Sequence, residues 1–515
     1  MTATAEPLSN DTAPASEPRH VRVGIIGAGF AGLGMAIKLK QSGEDDFVIW
    51  ERDADIGGTW WANTYPGCQC DIPSHLYSFS FAPNPNWGRT YATQPEIERY
   101  LQAVTDDYGL RPHIHTGCAV TDARWDEAHD RWHVTTDAGE YTASILVAAP
   151  GPLSEPSIPD LAGLDTFEGT TFHTASWNHD HDLTGRHVAV VGTGASAIQA
   201  VPEIQPHVES LTVFQRTPPW VVPHRDRPIT DAERRIYNAL PQLQRAVRAG
   251  VYFGRELLVP GLVYRPKLMS LVQSMATKHL HKQVRDSELR RTLTPSYAIG
   301  CKRILPSNRW YPALTKPNVD LVTAGVDHVR PDGIVDADGE LHQVDTIIFA
   351  TGFHVTDIRI AHRITGTDGA TLDAHWNGSP QAYRGTAVAS FPNLFFLVGP
   401  NTGLGHNSIV FMIEAQVQYI LDALHHMDET NTTRVEVKPH AQHAYNERLQ
   451  RKLADTVWNT GGCSSWYLDR NGRNATIWPD FTFRFWGRMR RFDPQAYELT
   501  GARAKTAPQR GLAPA

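Results

Sequence analysis

Leu183-Thr-Gly185-Arg-His187-Val-Ala-Val-Val-Gly192-Thr-Gly194-Ala-Ser-Ala197-Ile198-Gln199 decides the architecture of this chain of 515 residues. The run Val188-Ala-Val-Val reads as a buried strand. It breaks into Gly-x-Gly-x-x-Ala and then into helix-forming residues. Glycines at such a turn let the backbone approach a pyrophosphate, and the helix N-terminus behind them holds the charge. The same arrangement stands once upstream. Val21-Arg-Val-Gly-Ile-Ile breaks at Gly27-Ala-Gly29-Phe-Ala-Gly32 into a helical segment, Leu33 to Gln41, and the strand Phe47-Val-Ile-Trp50 follows, ending in Glu51. An acid about twenty residues beyond the last glycine is placed to accept hydrogen bonds from an adenosine ribose.

The strand after the second fingerprint, Leu211-Thr-Val-Phe, ends instead in Gln215-Arg216-Thr217 with no acid nearby. A guanidinium there suits a 2′-phosphate, so NADP is favoured over NAD. Between the two fingerprints, Gly57-Gly-Thr59-Trp60-Trp61 leads to Tyr65-Pro-Gly67-Cys-Gln-Cys-Asp71. Aromatic rings crowded into a glycine-rich loop suggest a wall for a flat ring of the flavin kind. Asp71 reads equally as a helix cap.

These features predict an α/β protein with two Rossmann-like dinucleotide-binding domains, one for FAD and one for NADP, and an inserted helical lobe. Residues 1–19 read as a disordered lead and 20–152 as the first part of the FAD domain. Residues 153–382 form the NADP domain with a helical insertion at about 230–292, and 383–515 return to the FAD domain and end in a tail. Three short strands at Ala119–Asp126, Arg131–Thr136 and Glu140–Ala143, then a separate buried strand from Ser144, close the first unit. A helix from about Ser408 would turn its N-terminus toward the flavin's polar edge.

The net charge of −7 argues against nucleic acid or an anionic membrane as partner. No apolar run is long enough to span a bilayer and no signal peptide is evident, which points to the cytoplasm. The five cysteines, Cys68, Cys70, Cys118, Cys301 and Cys463, do not form a disulfide framework and read as reduced thiols. Neither they nor the 24 histidines, His179 and His181 included, show metal-ligand spacing, so no metal site is expected.

Phe167-x-Gly169-x-x-x-His173-x-x-x-Trp177, lying between two dinucleotide fingerprints, resembles the signature of the Baeyer–Villiger monooxygenases, the class B flavoproteins. A second signature of that family is met by Gly58, Trp60, Tyr65, Pro66, Gly67 and Asp71. Asn178 departs from the family's usual Pro or Asp, and Ala149-Pro150-Gly151 departs from Ala-Thr-Gly. The resemblance implies an FAD- and NADPH-dependent enzyme that uses O2, through a C4a-peroxyflavin, to turn ketones into esters or lactones, with sulfide oxidation alongside.

Arg303 then takes the place of the family's active-site arginine, held and tuned by Asp71, with Lys302 on the NADP phosphate. Gly27, Gly29, Gly32, Glu51, Thr59, Trp60, Asp71, Tyr77, Val120 and Ile409 fall to the FAD side. Gly192, Thr193, Gly194, Ala195, Ser196, Ala197, Gln199, Arg216 and Thr217 fall to NADP together with Lys302 and Arg303. His173 belongs to the linker and couples domain movement rather than moving protons. Small-molecule ketones or sulfides and O2 are the expected partners, and the chain is expected to be a monomer or weak homo-oligomer. The rival readings are an N- or S-oxygenating flavin monooxygenase and, more remotely, a flavin redox module without oxygenation.

Overall fold

A computed structural model describes residues 18–502. Most of the predicted lead therefore lies outside the described residues, and the first strand begins at the lead's edge. This strand, β1 (Arg19–Ile26), turns at Gly27 into helix α1 (Phe30–Gln41), three residues earlier than the pattern suggested, and β2 (Phe47–Trp50) follows. Helix α2 (Gln94–Asp107) opens with a capping box formed by Thr93 and Glu96, which satisfies backbone groups at its N-terminus. The chain continues through β3 (Ile114–His115), β4 (Val120–Asp126), β5 (Arg131–Thr136) and β6 (Gly139–Ala148).

β6 corrects the expectation of two strands at this point. It is one long strand whose first half pairs antiparallel with β5. Its second half, Leu146–Ala148, pairs parallel with Leu394–Phe396 from the far end of the chain. The Ala143-Ser144 junction read as a break because the exposure pattern changes there: Gly139–Tyr141 face outward and Ile145–Ala148 are buried. β1 lies between β6 and β2, parallel to both, and β3 completes the edge. With Ile364–Thr365 added beside β4, the sheet has eight strands.

The second sheet is parallel throughout. Its strands are β7 (Thr170–His173), β8 (His187–Val191), β9 (Ser210–Phe214), β10 (Val319–Val322) and β11 (Thr346–Phe349), in the order β10-β9-β8-β11-β7. Helix α3 (Ala195–Ile204) leaves β8 at the second glycine turn. The β8 and β11 residues Val188, Val190 and Ile348 are all but fully buried, as a parallel sheet covered on both faces requires.

Between the glycine turn and β10 the chain builds the helical lobe: α4 (Asp231–Ala239), α5 (Pro241–Glu256), α6 (Ser270–Gln283) and α7 (Ser287–Thr292). The first sheet resumes with β12 (Leu394–Phe396), followed by α8 (Ile409–Thr430) and, near the end, α9 (Thr482–Met489). α1 and α8 pack side by side in the largest buried cluster, which includes Leu33, Met35, Ile37, Val410, Ile413 and Val417. Among the described residues no helix is long and apolar enough to cross a membrane.

Candidate active site

Both glycine turns are built alike. Gly27 has φ +99°, and a Cβ on it would sit 2.6 Å from the Ala149 carbonyl oxygen; Gly192 has φ +114° and the corresponding distance to Ala350 O is 2.5 Å. Only glycine is tolerated where left-handed backbone and so close an approach coincide. Gly32 closes the first turn, because a Cβ there would lie 1.9 Å from Gly27 O. Gly29 and Gly194 are the N-caps of α1 and α3, with no side-chain cap and no acid in either first turn. Space opens in front of Gly194, where an added Cβ would meet nothing within 4 Å, and Ala195 beside it is exposed. Two helix N-termini without side-chain caps, the second with open space in front of it, fit the pyrophosphates of two dinucleotides.

Glu51, 4% exposed, accepts from the Ala28 and Asp53 backbone N–H groups (2.7 and 2.9 Å). Burial raises its pKa, and those two bonds oppose the shift. Thr59 and Trp60 open a single helical turn after Gly58, which packs against Gly29. Trp60 Nε1 donates to Tyr77 Oη (3.1 Å), and Tyr77 meets Phe30 edge-on at 5.1 Å. Ile409 begins α8 under the Ser408 cap, whose hydroxyl accepts from Val410 N. Val120 is buried at the start of β4, its carbonyl accepting from Arg363.

Asp71 and Arg303 are brought together across 232 residues of sequence. Arg303 Nε and Nη2 donate to the two oxygens of Asp71 at 2.5 and 2.6 Å, and Nη1 donates to Leu404 O at 3.2 Å. The Asp71 backbone oxygen accepts from Arg255 Nη2 (2.9 Å), so α5 of the helical lobe reaches the same point. Burial alone would raise the Asp71 carboxyl, but the Arg303 charge outweighs it and holds the pKa below the usual value. Arg303 is correspondingly locked in its charged form. The helix-cap reading of Asp71 is thereby replaced: its side chain serves a guanidinium. The fork geometry fixes the plane of Arg303 while its side chain stays 29% exposed, which leaves it open to a ligand.

Lys302, next to Arg303, lies over the Tyr297 ring at 5.3 Å. Burial and the nearby Arg216 charge both lower its pKa. Lys302 and Arg216 thus converge from a loop and a strand end, and among the described residues neither has a carboxylate partner. Two cations that repel each other and lack a counter-ion fit a phosphate. Thr193 Oγ1 donates to Thr217 O (3.0 Å), tying the glycine turn to the Arg216 segment. Gln199 in α3 accepts from Tyr65 Oη (2.9 Å) and donates to Gln69 O (2.9 Å). The second fingerprint thereby touches the loop that carries Asp71; Ser196 and Ala197 lie one turn before Gln199 on α3.

The Phe167–Trp177 segment is more than a linker. It supplies β7, the edge strand of the second sheet, paired with β11 from Thr170 to His173. Gly169 has no room for a side chain, since a Cβ would fall 2.2 Å from Asp345 O and 2.6 Å from the Phe167 ring. Trp177 packs edge-on against Phe172 at 5.1 Å. His173, 2% exposed, accepts at Nδ1 from Ala175 N (3.0 Å), which puts its proton on Nε2. Burial lowers its pKa to about 4, so it is a neutral ring at physiological pH. Asn178 Oδ1 accepts from Asp180 N (3.1 Å), a turn-forming bond that an Asp would also make.

Trp466, Tyr467 and Trp478 read in the sequence either as a roomy aromatic pocket or as ordinary packing; two other features were not foreseen. Cys301 and Cys463 form a disulfide with Cα atoms 6.1 Å apart, which corrects the reading of all five cysteines as thiols; Cys68, Cys70 and Cys118 are free. The two partners are 162 residues apart, and nothing in their spacing could have paired them. The bridge fastens the residue before Lys302 to the tail that carries Trp466 and Tyr467. Tyr467 is 1% exposed, its hydroxyl has no protein partner, and it lies within electrostatic reach of Arg303 and Asp71. Arg255 and the Leu404 carbonyl also belong to the site, and neither falls in a recognisable motif. Trp478, by contrast, is core: it is 3% exposed and packed on Phe485.

Two dinucleotide cradles meeting at a fixed arginine–carboxylate pair define a two-nucleotide flavoprotein oxidoreductase. The family profile described as pyridine nucleotide-disulphide oxidoreductase matches residues 24–255. The chain is 51% identical over 495 residues to a Baeyer-Villiger monooxygenase of Pseudomonas aeruginosa, covering 96% of this chain and 94% of that protein. It superposes on the closed crystal structure of cyclohexanone monooxygenase with a TM-score of 0.84 at 30% identity, covering 94% of this chain and 100% of the other. It also superposes on OTEMO in complex with FAD and NADP, with a TM-score of 0.83 at 27% identity and coverage of 93% and 99%. The chain belongs to the Baeyer–Villiger monooxygenase family.

Proposed function

We propose that this protein is an FAD- and NADPH-dependent monooxygenase that uses O2 to convert a ketone into an ester or lactone, and that it also oxidises sulfides. The observation that carries the reading is the Asp71–Arg303 pair, bidentate and partly open, where the two nucleotide folds meet. Bound FAD, reduced by NADPH, supplies the activated oxygen. Arg303 supplies a permanent, oriented positive charge for the negative charge that develops on oxygen, and Asp71 sets its direction. Gly27, Gly29 and Gly32 with Glu51, Thr59, Trp60, Tyr77, Val120 and Ile409 hold FAD. Gly192 to Ala197, with Gln199, Thr217, Arg216 and Lys302, hold NADPH and select it over NADH. His173, neutral and fixed in one tautomer, orients the strand end beside the nucleotide and takes no part in proton transfer. The protein works in the cytoplasm as a monomer or weak homo-oligomer.

Replacing Arg303 by Ala separates the two halves of the reaction. Anaerobic reduction of the bound flavin by NADPH is expected to persist, while ester formation under air falls by about two to three orders of magnitude, the scale of losing one fixed charge at a developing anion. Ester formation at the native rate in this variant would remove Arg303 from the chemistry.

A further inference from the structure

A cavity of about 650 Å³ lies between α1, α5, α8 and α9, away from the Asp71–Arg303 pair. Its size falls in the range of small-molecule sites. Apolar side chains lie beneath it: Leu76 and Phe79 are 1% and 0% exposed, and Ile413 is 2% exposed. The rim is open, with Arg245, Trp486 and Arg490 exposed.

Four cations line it (Lys38, Arg245, Arg248 and Arg490) against a single carboxylate, Glu414. This excess of positive charge sits on a chain whose net charge is −7. Glu414 is already engaged, with Oε1 accepting from Ser80 N at 2.6 Å. Among the described residues none of the four cations forms an ion pair. Arg22, Arg303 and Arg384, also held within the fold, each have a carboxylate partner.

Arg248 is the most telling of the four. One of its nitrogens, Nη1, donates to His75 O (2.8 Å), Ser78 O (3.0 Å) and Ser78 Oγ (3.2 Å). Those three bonds anchor the guanidinium to the chain and leave Nε and Nη2 with no protein acceptor among the described residues. Desolvation lowers its pKa and the Glu414 charge opposes that shift, yet among the described residues no carboxylate pairs directly with the guanidinium, and an arginine keeps its proton. Two other cations rest on aromatic faces: Lys38 over Phe81 at 4.1 Å and Arg490 over Trp486 at 4.9 Å. Tyr252 stacks on Phe411 at 5.0 Å to complete the wall. Preset cations above an apolar floor fit a molecule with one negative end and one apolar end.

We propose that this cavity is a second ligand site, separate from the nucleotide and ketone sites, that takes an amphipathic anion: a carboxylate or sulfonate carried on an aliphatic or aromatic body. The anionic group meets Arg248 with Arg245 and Arg490, and the apolar body lies on Tyr252, Phe411 and Phe81, the last stacked on Phe79 at 4.9 Å. Phe79 packs against Phe30 at 5.2 Å, and Phe30 in turn against Tyr77, so an occupant presses on the outer layer of the proposed flavin wall.

The test uses the FAD-loaded enzyme saturated with NADP+, so that Lys302 and Arg216 are occupied, and titrates it with dodecanoate and with dodecan-1-ol. Calorimetry gives the stoichiometry and affinity. The expected result is one dodecanoate per chain. Binding is expected to be about tenfold weaker or more for the alcohol and for the rim variant Arg245→Glu/Arg490→Glu, the scale of losing a charge-assisted contact. Arg248→Met is expected to show the same loss, whereas Lys302→Ala keeps native affinity. Equal affinity for the alcohol, unchanged affinity in both the rim variant and Arg248→Met, or binding without saturation would overturn the proposal. Ketone turnover by the rim variant, measured on the same preparation, is expected to be native, so the outcome does not depend on the assignment of the main reaction.

Discussion

Asp71 engages Arg303 with both oxygens, so at neutral pH both partners are ionised. Its pKa in the folded chain lies below the usual aspartate value. A depressed folded value means that the pair's stabilisation is fully present above the ordinary carboxylate range and is lost as pH falls through the folded pKa. Asp71→Asn is therefore expected to cost about 3 kcal/mol at neutral pH, the low end for breaking a buried pair, because the partners remain partly exposed. Urea unfolding of wild type and variant at neutral pH and below about pH 3 checks the sign: the difference should shrink toward acid, and a difference that grows there would contradict it. Arg216 gives a second residue-level expectation. Arg216→Ala should raise the KM for NADPH roughly tenfold or more and leave the KM for NADH nearly unchanged, because only the 2′-phosphate meets this charge; equal effects on both would reject the role.

Asp71, Lys302 and Arg303 could be placed from motif and adjacency. Arg255 and Leu404 O could not, because they reach the site by folding from an amphipathic helix and a loop carbonyl, neither with a spacing that marks a site.

At the scale of elements, the glycine-to-helix turns were the most legible parts, since steric exclusion at Gly27 and Gly192 admits one residue type. The Phe167–Trp177 segment was read as a linker because a four-residue edge strand carries too little alternation to stand out; its partner β11 lies far along the chain. β6 was split in two for a related reason, serving an exposed hairpin with one half and a buried parallel pair with the other. The Cys301–Cys463 bridge joins the Lys302–Arg303 loop to the tail that holds Tyr467. Opening it is expected to loosen that tail and lower stability by roughly 2–4 kcal/mol. Thermal unfolding with and without reductant checks this: the wild-type midpoint should fall on reduction, whereas Cys463→Ser should already be low and indifferent to reductant. A wild-type midpoint unmoved by complete reduction would show that the bridge bears no load.

At the scale of the molecule, two copies of one nucleotide-binding plan face each other, and the contact from Gln199 to Tyr65 and Gln69 ties the second copy to the loop of the first. That plan was readable because the fingerprint occurs twice with its flanking strands in order. The relative placement of the copies, and the reach of the helical lobe to Asp71 through Arg255, depend on long-range packing that no local pattern encodes. The central claim is that this assembly inserts one oxygen atom of O2 into a ketone at the expense of NADPH. The most direct measurement is turnover of a ketone panel that includes cyclohexanone by the FAD-loaded enzyme under ¹⁸O2, with products analysed by mass spectrometry. The account predicts an ester or lactone carrying one ¹⁸O for each NADPH consumed. NADPH consumption with every ketone unchanged and all the O2 recovered as hydrogen peroxide would contradict it.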